Sequence, residues 1–188
     1  MPGPIGALLL TGGASRRMGT PKAALPAGPE GTFAARTAAL LLRVAAPVIE
    51  VGPGWTQLPH VADEGDGPLA AMSRGWAAFA PQPAGALVVA CDLPRLDEAV
   101  LRALAADGAE SRAAVIPEVG GRLQPVCAYY PAAAFVAAID LVAAGCRAFK
   151  DLLAVAPYRA WPADAWADAL ADVDTPADLV RLGMVDEL

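Results

Sequence analysis

The sequence predicts a three-layer α/β fold with a mostly parallel central sheet, and three observations predict it. Apolar runs of strand length alternate with stretches of helical periodicity along the whole chain. One of them, GALVVA at 85–90, is apolar throughout, as suits a central strand covered on both faces. A hydrophobic fraction of 56% over 188 residues supplies one ample core. In chain order, 5–10 reads as the first strand, and 32–45 as a crossover helix with Leu40, Leu41 and Val44 on one side. A second strand follows at 48–51, then the turn-rich PGWTQLP and a short strand near Val61. After the loop DEGDGP a helix starts at Gly67 and Pro68 and runs to about Phe79, and the apolar strand at 85–90 follows it. Residues 97–106 read as helix, 113–116 and 123–129 as strands, and 132–144 and 149–156 as helices, while DTPADL opens a last one. This alternation describes a sheet wound in the Rossmann manner, which binds ligands beyond the carboxyl ends of its strands. Neither an internal repeat nor a long linker interrupts it, so residues 1–188 are expected to form one domain.

Composition narrows the function. A formal net charge of -6 argues against a nucleic-acid or anionic-membrane surface, both of which need clustered Lys and Arg. Three cysteines, Cys91, Cys127 and Cys146, are widely spaced without a CxxC pair, which suits a reducing compartment rather than a disulfide scaffold. The N-terminal apolar run is short and has no basic segment before it, so neither a signal peptide nor a spanning helix is expected, and the cytoplasm is the expected location. His60 has no second histidine to work with and reads as a surface or turn residue. Trp55, Trp76, Trp161 and Trp166 read as core or as cover for the sheet.

The stretch LLLTGGASRRMGTPKAAL at 8–25 carries the chemistry. An apolar strand ends at Leu10, Gly12 and Gly13 let the backbone turn and present its N–H groups, and Arg16, Arg17 and Lys22 add positive charge. Every part of it faces an anion, as a polyphosphate grip requires. It is not a Walker loop, since no Gly-Lys-Ser/Thr follows, and it lacks the GxGxxG spacing of dinucleotide folds.

The run Gly12, Gly13, Ser15, Arg17, Met18, Gly19 and Lys22 resembles the signature of the nucleotidyltransferase family that includes the molybdenum cofactor guanylyltransferases. DEGDGPLAAM at 63–72, CDLP at 91–94, LQPVCAYY at 123–130 and DVDTPADL at 172–179 agree with that family in the same order. The resemblance implies a Rossmann-like nucleotidyltransferase fold and transfer of GMP from GTP to the phosphate of molybdopterin. It also implies Mg2+, with molybdoenzyme or maturation-protein contacts as further partners. The same chemistry with another base, in a cytidylyl or sugar-phosphate nucleotidyltransferase, is the nearest alternative, and a nucleotide-binding adaptor without turnover is one of another class.

On this reading residues 1–95 bind nucleotide and residues 96–188 bind the acceptor. Lys22, Arg17 and Asp92 are the expected catalytic residues, the two cations cancelling phosphate charge and Asp92 holding the metal with hard oxygen ligands. A carboxylate directly after a central strand also fits a helix cap, which is the structural alternative for Asp92. The nucleotide-binding set is Leu10, Thr11, Gly12, Gly13, Ser15, Gly19, Lys22, Asp63, Gly67 and Asp92. Asp63 can accept from both N1–H and N2–H2 of guanine, though Glu64 and Asp66 stand beside it. No polar side chain stands at Val51 or Gly52, so base selection there would use backbone. The acceptor-binding candidates are Gln124, Arg147, Asp172 and Asp174, with Arg122 and Lys150 near them. Asp172 and Asp174 stand where some guanylyl enzymes have asparagines, so they either help hold metal or point to the cytidylyl branch.

Overall fold

The computed structural model describes residues 5–13 and 18–185. Among these residues eight strands form one sheet: β1 (Ile5–Leu10), β2 (Val48–Val51), β3 (His60–Val61), β4 (Gly85–Ala90), β5 (Ala114–Val119), β6 (Arg122–Leu123), β7 (Cys127–Pro131) and β8 (Tyr158–Pro162). They lie in the order β3-β2-β1-β4-β7-β5-β6, with β8 on β5. The pairs β1–β2, β1–β4, β2–β3 and β5–β8 are parallel, whereas β7 runs antiparallel to both β4 and β5, and β6 antiparallel to β5. The sheet is therefore parallel in its first half and mixed in its second. The chain reverses after β5 at the two-residue turn Gly120–Gly121, both with positive φ, so β6 and then β7 run antiparallel to β5.

Among the described residues there are six α-helices: α1 (Phe33–Leu42), α2 (Pro68–Ala77), α3 (Glu98–Glu110), α4 (Ala132–Ala143) and α5 (Phe149–Leu153), which cover the sheet, and α6 (Pro176–Arg181). Alternation along β1 assigns the layers. Ala7 and Leu9 point to the face covered by α1 and α3, packing with Ala34, Leu41, Leu101 and Leu104. Leu8 and Leu10 point to the opposite face, covered by α2, α4 and α5 through Leu69, Met72, Trp76, Phe135 and Leu152. On that second face Trp76 stacks on Phe135 with ring centroids 4.1 Å apart. A smaller cluster of Ala27, Phe33, Val173 and Leu182 fastens the C-terminal segment to the start of α1.

Local chemistry sets the helix starts. The Thr32 side chain accepts from the Ala35 N–H at α1, and Asp97 accepts from the Val100 N–H at α3. Gly67 precedes α2 with φ +98°, and a Cβ there would press to 2.8 Å from the Arg147 carbonyl oxygen. Both α1 and α5 end before their expected limits of 45 and 156. The expected strand 123–129 is broken at Gln124, Pro125 and Val126 into β6 and β7, as a proline without an N–H requires. A strand not expected from the sequence, β8, extends the sheet beside β5.

From β1 the chain passes through α1 to β2 on one side, while β4 flanks β1 on the other. The strand order therefore reverses between β1 and β4, and a crevice opens beyond their carboxyl ends at Leu10 and Ala90.

Candidate active site

The loops after β1 and β4, the approach to α2 and the C-terminal turn before α6 enclose a cavity of about 530 Å3. Leu10, Thr11, Gly12 and Gly13 line it from β1, and Ala90, Cys91 and Asp92 from β4. Asp63, Gly65, Gly67 and Pro68 form another wall, and Lys22, Val126 and Asp174 complete it. Leu10, Thr11, Gly12, Gly13, Lys22, Asp63, Gly67 and Asp92 of the expected nucleotide-binding set thus meet around one space. Gly19 does not line it, and Ser15, Arg16 and Arg17 lie outside the described residues.

Lys22 is the hub of the site. Its Nζ donates to Asp92 Oδ2 at 2.9 Å and to Asp174 Oδ1 at 2.6 Å. Burial alone would lower the lysine pKa, but the hydrogen bond to Asp174 and the charge of Asp92 outweigh it and raise the value. The ammonium is charged at every physiological pH. Asp92 caps no helix, since that role at α3 belongs to Asp97. The Asp92 carbonyl accepts from the Val173 N–H at 3.0 Å, which brings the C-terminal turn onto the end of β4.

The resemblance implies an acceptor-binding role for Asp174, and the structure sets this residue against Lys22 beside Asp92. Asp178 holds it there, its Oδ2 accepting from the Asp174 N–H at 3.1 Å and from the Thr175 N–H and hydroxyl at 2.8 Å each. Those bonds and the Arg181 guanidinium keep the Asp178 carboxyl well below the usual carboxylate range. Asp172, Gln124 and Arg147 do not line the cavity. The Arg147 guanidinium donates to the Val142 and Cys146 carbonyls at 2.9 and 2.8 Å, closing the end of α4.

Gly12 and Asp63 explain each other. A Cβ on Gly12 would overlap the Asp63 carboxylate, so glycine lets the first loop lie directly on that acid. Arg74, on α2, organises the acidic loop by donating to Glu64 Oε2 at 2.9 Å and Asp66 Oδ2 at 2.6 Å, with Asp63 3.9 Å away. Sequence reasoning passed over Arg74, although a lone cation two turns after three carboxylates is a signal. It also passed over Glu50, a charge within the apolar strand VIEV, which is fully buried. The Glu50 carboxylate accepts from the Thr11 hydroxyl at 2.6 Å, from the Gly54, Trp55 and Thr56 N–H groups at 3.1, 2.7 and 2.9 Å, and from the Thr56 hydroxyl at 2.7 Å.

Trp76 is core, and Trp161 and Trp166 stack on one another beside the sheet, as expected. Trp55 is 41% exposed, against the expectation that it packs, because the turn that carries it folds back over Glu50. His60 is exposed on β3. The three cysteines are free. Among the described residues no three His, Cys, Asp or Glu side chains gather into a metal cluster, and no helix is long and apolar enough to cross a membrane.

Comparison with known proteins agrees with this arrangement. The family model described as MobA-like NTP transferase domain matches residues 7–167. A probable molybdenum cofactor guanylyltransferase of Mycolicibacterium paratuberculosis is 33% identical over 93% of this chain and 93% of its own. The crystal structure of molybdopterin-guanine dinucleotide biosynthesis protein A from Archaeoglobus fulgidus superposes with a TM-score of 0.76 at 20% identity, covering 95% of this chain and 96% of that one. Rv0371c of Mycobacterium tuberculosis, crystallised in complex with manganese, superposes with a TM-score of 0.69 at 17% identity, over 95% of this chain and 97% of its own. The two superpositions speak for the fold, and the family model and the curated relative speak for kinship: this chain belongs to the MobA-like NTP transferase family.

Proposed function

We propose that this chain transfers GMP from GTP to the phosphate of a molybdopterin, forming the guanine dinucleotide cofactor and releasing pyrophosphate. The observation that carries the reading is the Lys22 ammonium held between Asp92 and Asp174 in a cavity walled by the glycine loop. An oxygen of the acceptor phosphate attacks the α-phosphorus, the new P–O bond forms, and the bond to the bridging oxygen breaks so that pyrophosphate takes the electron pair. No protein nucleophile is needed, and the work is positioning and charge stabilisation.

Lys22 lines the cavity and would offer its N–H donors to phosphate oxygens there as a compact charge. The backbone of Gly12 and Gly13 faces the same space, and Arg17 belongs to the loop that follows them. Asp92 and Asp174 suit a divalent metal ion, because Mg2+ takes one or two carboxylates and completes its shell with water and substrate phosphates. Bound there, the ion supplies charge stabilisation at the α-phosphate and the leaving pyrophosphate. Asp63 is the residue for guanine recognition, held at the cavity wall by the close passage of Gly12. Residues 1–95 supply most of the nucleotide site, and Asp174 joins it from the acceptor half. Gln124, Arg147 and Asp172 are proposed for the acceptor.

Titration calorimetry with GTP, CTP, ATP and UTP, each with Mg2+ and then EDTA, tests the reading. Selective GTP binding that weakens in EDTA is expected, followed by pyrophosphate release when molybdopterin is added. Preference for CTP would move the chain to the cytidylyl reaction, binding without pyrophosphate release would make it an adaptor, and no binding would overturn nucleotide transfer.

A further inference from the structure

Glu50 is a buried charge that the proposed transfer does not use. Its place in β2 needs only an apolar side chain for the fold, since Val48, Ile49 and Val51 around it are core. Burying a carboxylate is costly unless donors surround it. Here five do, and although burial would raise its pKa, the bonds from Thr11, Thr56 and Trp55 lower it, so the group stays ionised.

Those donors come from two loops. Oε1 receives the Thr11 hydroxyl and the Gly54 and Trp55 N–H groups, while Oε2 receives both donors of Thr56. Thr11 is the first residue after β1 and lines the cavity immediately before Gly12 and Gly13. Its N–H donates to the Val51 carbonyl at 3.0 Å, and a Cβ on Gly52 would overlap its hydroxyl oxygen. The hydroxyl proton is committed to Glu50 at 2.6 Å, so the carboxylate fixes the direction in which the glycine turn leaves the sheet.

We propose that Glu50 is a positioning residue for the nucleotide grip, acting through the Thr11 hydroxyl. It touches no substrate. The inference rests on the nucleotide-transfer reading. Loss of the link misplaces the Gly12–Gly13 backbone, so nucleotide affinity falls while turnover at saturation is largely kept.

The test compares GTP·Mg2+ affinity and steady-state kinetics in the parent, Glu50→Gln, Thr11→Val and the double variant. A Gln amide cannot accept from five donors, and one N–H would face another. About tenfold weaker GTP binding is expected for each single variant, with kcat of Glu50→Gln within about threefold of the parent. The double variant should be no weaker than the weaker single one, because both changes cut one link. A Glu50 that serves only folding would lower the melting temperature and the active fraction, and with it kcat, while leaving Kd unchanged; that result overturns the proposal. Should Glu50→Gln fail to fold, Thr11→Val carries the test alone, and unchanged GTP affinity in it overturns the proposal equally. A parent chain that binds no nucleotide removes the reading on which the inference stands, whereas a parent that binds beside unaffected variants removes the inference alone.

Discussion

Lys22 forms short ion pairs with Asp92 and with Asp174 in the cavity, which makes its replacement the sharpest single-residue experiment. Lys22→Met should remove the ammonium these two carboxylates share, and activity should fall at least about a hundredfold, since a charged donor aimed at developing charge is worth that much. Steady-state pyrophosphate release measures it, and a fall of only a few fold would remove Lys22 from catalysis. Gly12→Ala tests the opposite wall. The added methyl meets the Asp63 carboxylate, so GTP affinity should drop sharply, and calorimetry reads the change. Both residues were legible in the sequence, because glycines and a lysine after an apolar strand are a pattern with a mechanism. Glu50 and Arg74 were not. Glu50 acts through Thr11, 39 positions away, and no local spacing reveals that pairing, whereas Arg74 has its partners two turns back in the 63–66 loop and carries a signal that its own helix pattern obscures.

The short helix α6 has a larger role than its six residues suggest. Asp178 gathers the Asp174 N–H and both donors of Thr175, so the start of the helix and the placement of Asp174 are one structure. Asp178→Ala should cost about 1 kcal/mol in urea unfolding, as loss of a cap does, and should lower turnover more than that stability loss explains. Unchanged kinetics would show that Asp174 holds its position without the cap. The elements themselves were largely legible: apolar runs of strand length placed β1, β2 and β4, helical periodicity placed α1 and α3, and Gly67 with Pro68 marked the start of α2. The sequence hid β8, because Tyr-Arg-Ala-Trp-Pro is mostly half-buried or exposed and its pairing with β5 supplies what its own pattern lacks.

At the level of the whole molecule, two layers of helices over a mixed sheet leave the crevice between β1 and β4 as the place where distant segments meet. Acid sensitivity follows from Glu50. Its folded pKa lies below the ordinary glutamate value of about 4.3, so its contribution is full above that value and is lost as pH falls through the lower, folded one. Unfolding followed by circular dichroism from pH 7 down to 2 should therefore show stability declining below about pH 4, with a shallower decline in Glu50→Gln. An identical profile in the two proteins would contradict the assignment. The fold class could be read from the sequence because strand and helix alternate at fixed lengths, whereas the place of β7 between β4 and β5 depends on pairing with strands distant in sequence, which no local pattern records.

Lys22 and Asp174 are 152 positions apart, and their ion pair closes the cavity. A ribosome makes the glycine loop, Lys22 and Asp92 well before it makes Asp174, so for a long stretch of synthesis the nascent chain carries Asp92 against Lys22 without Asp174. The site is completed only when the turn carrying Asp174 docks through Val173 onto Asp92, so the end of the chain supplies the carboxylate that the first loop's lysine awaits.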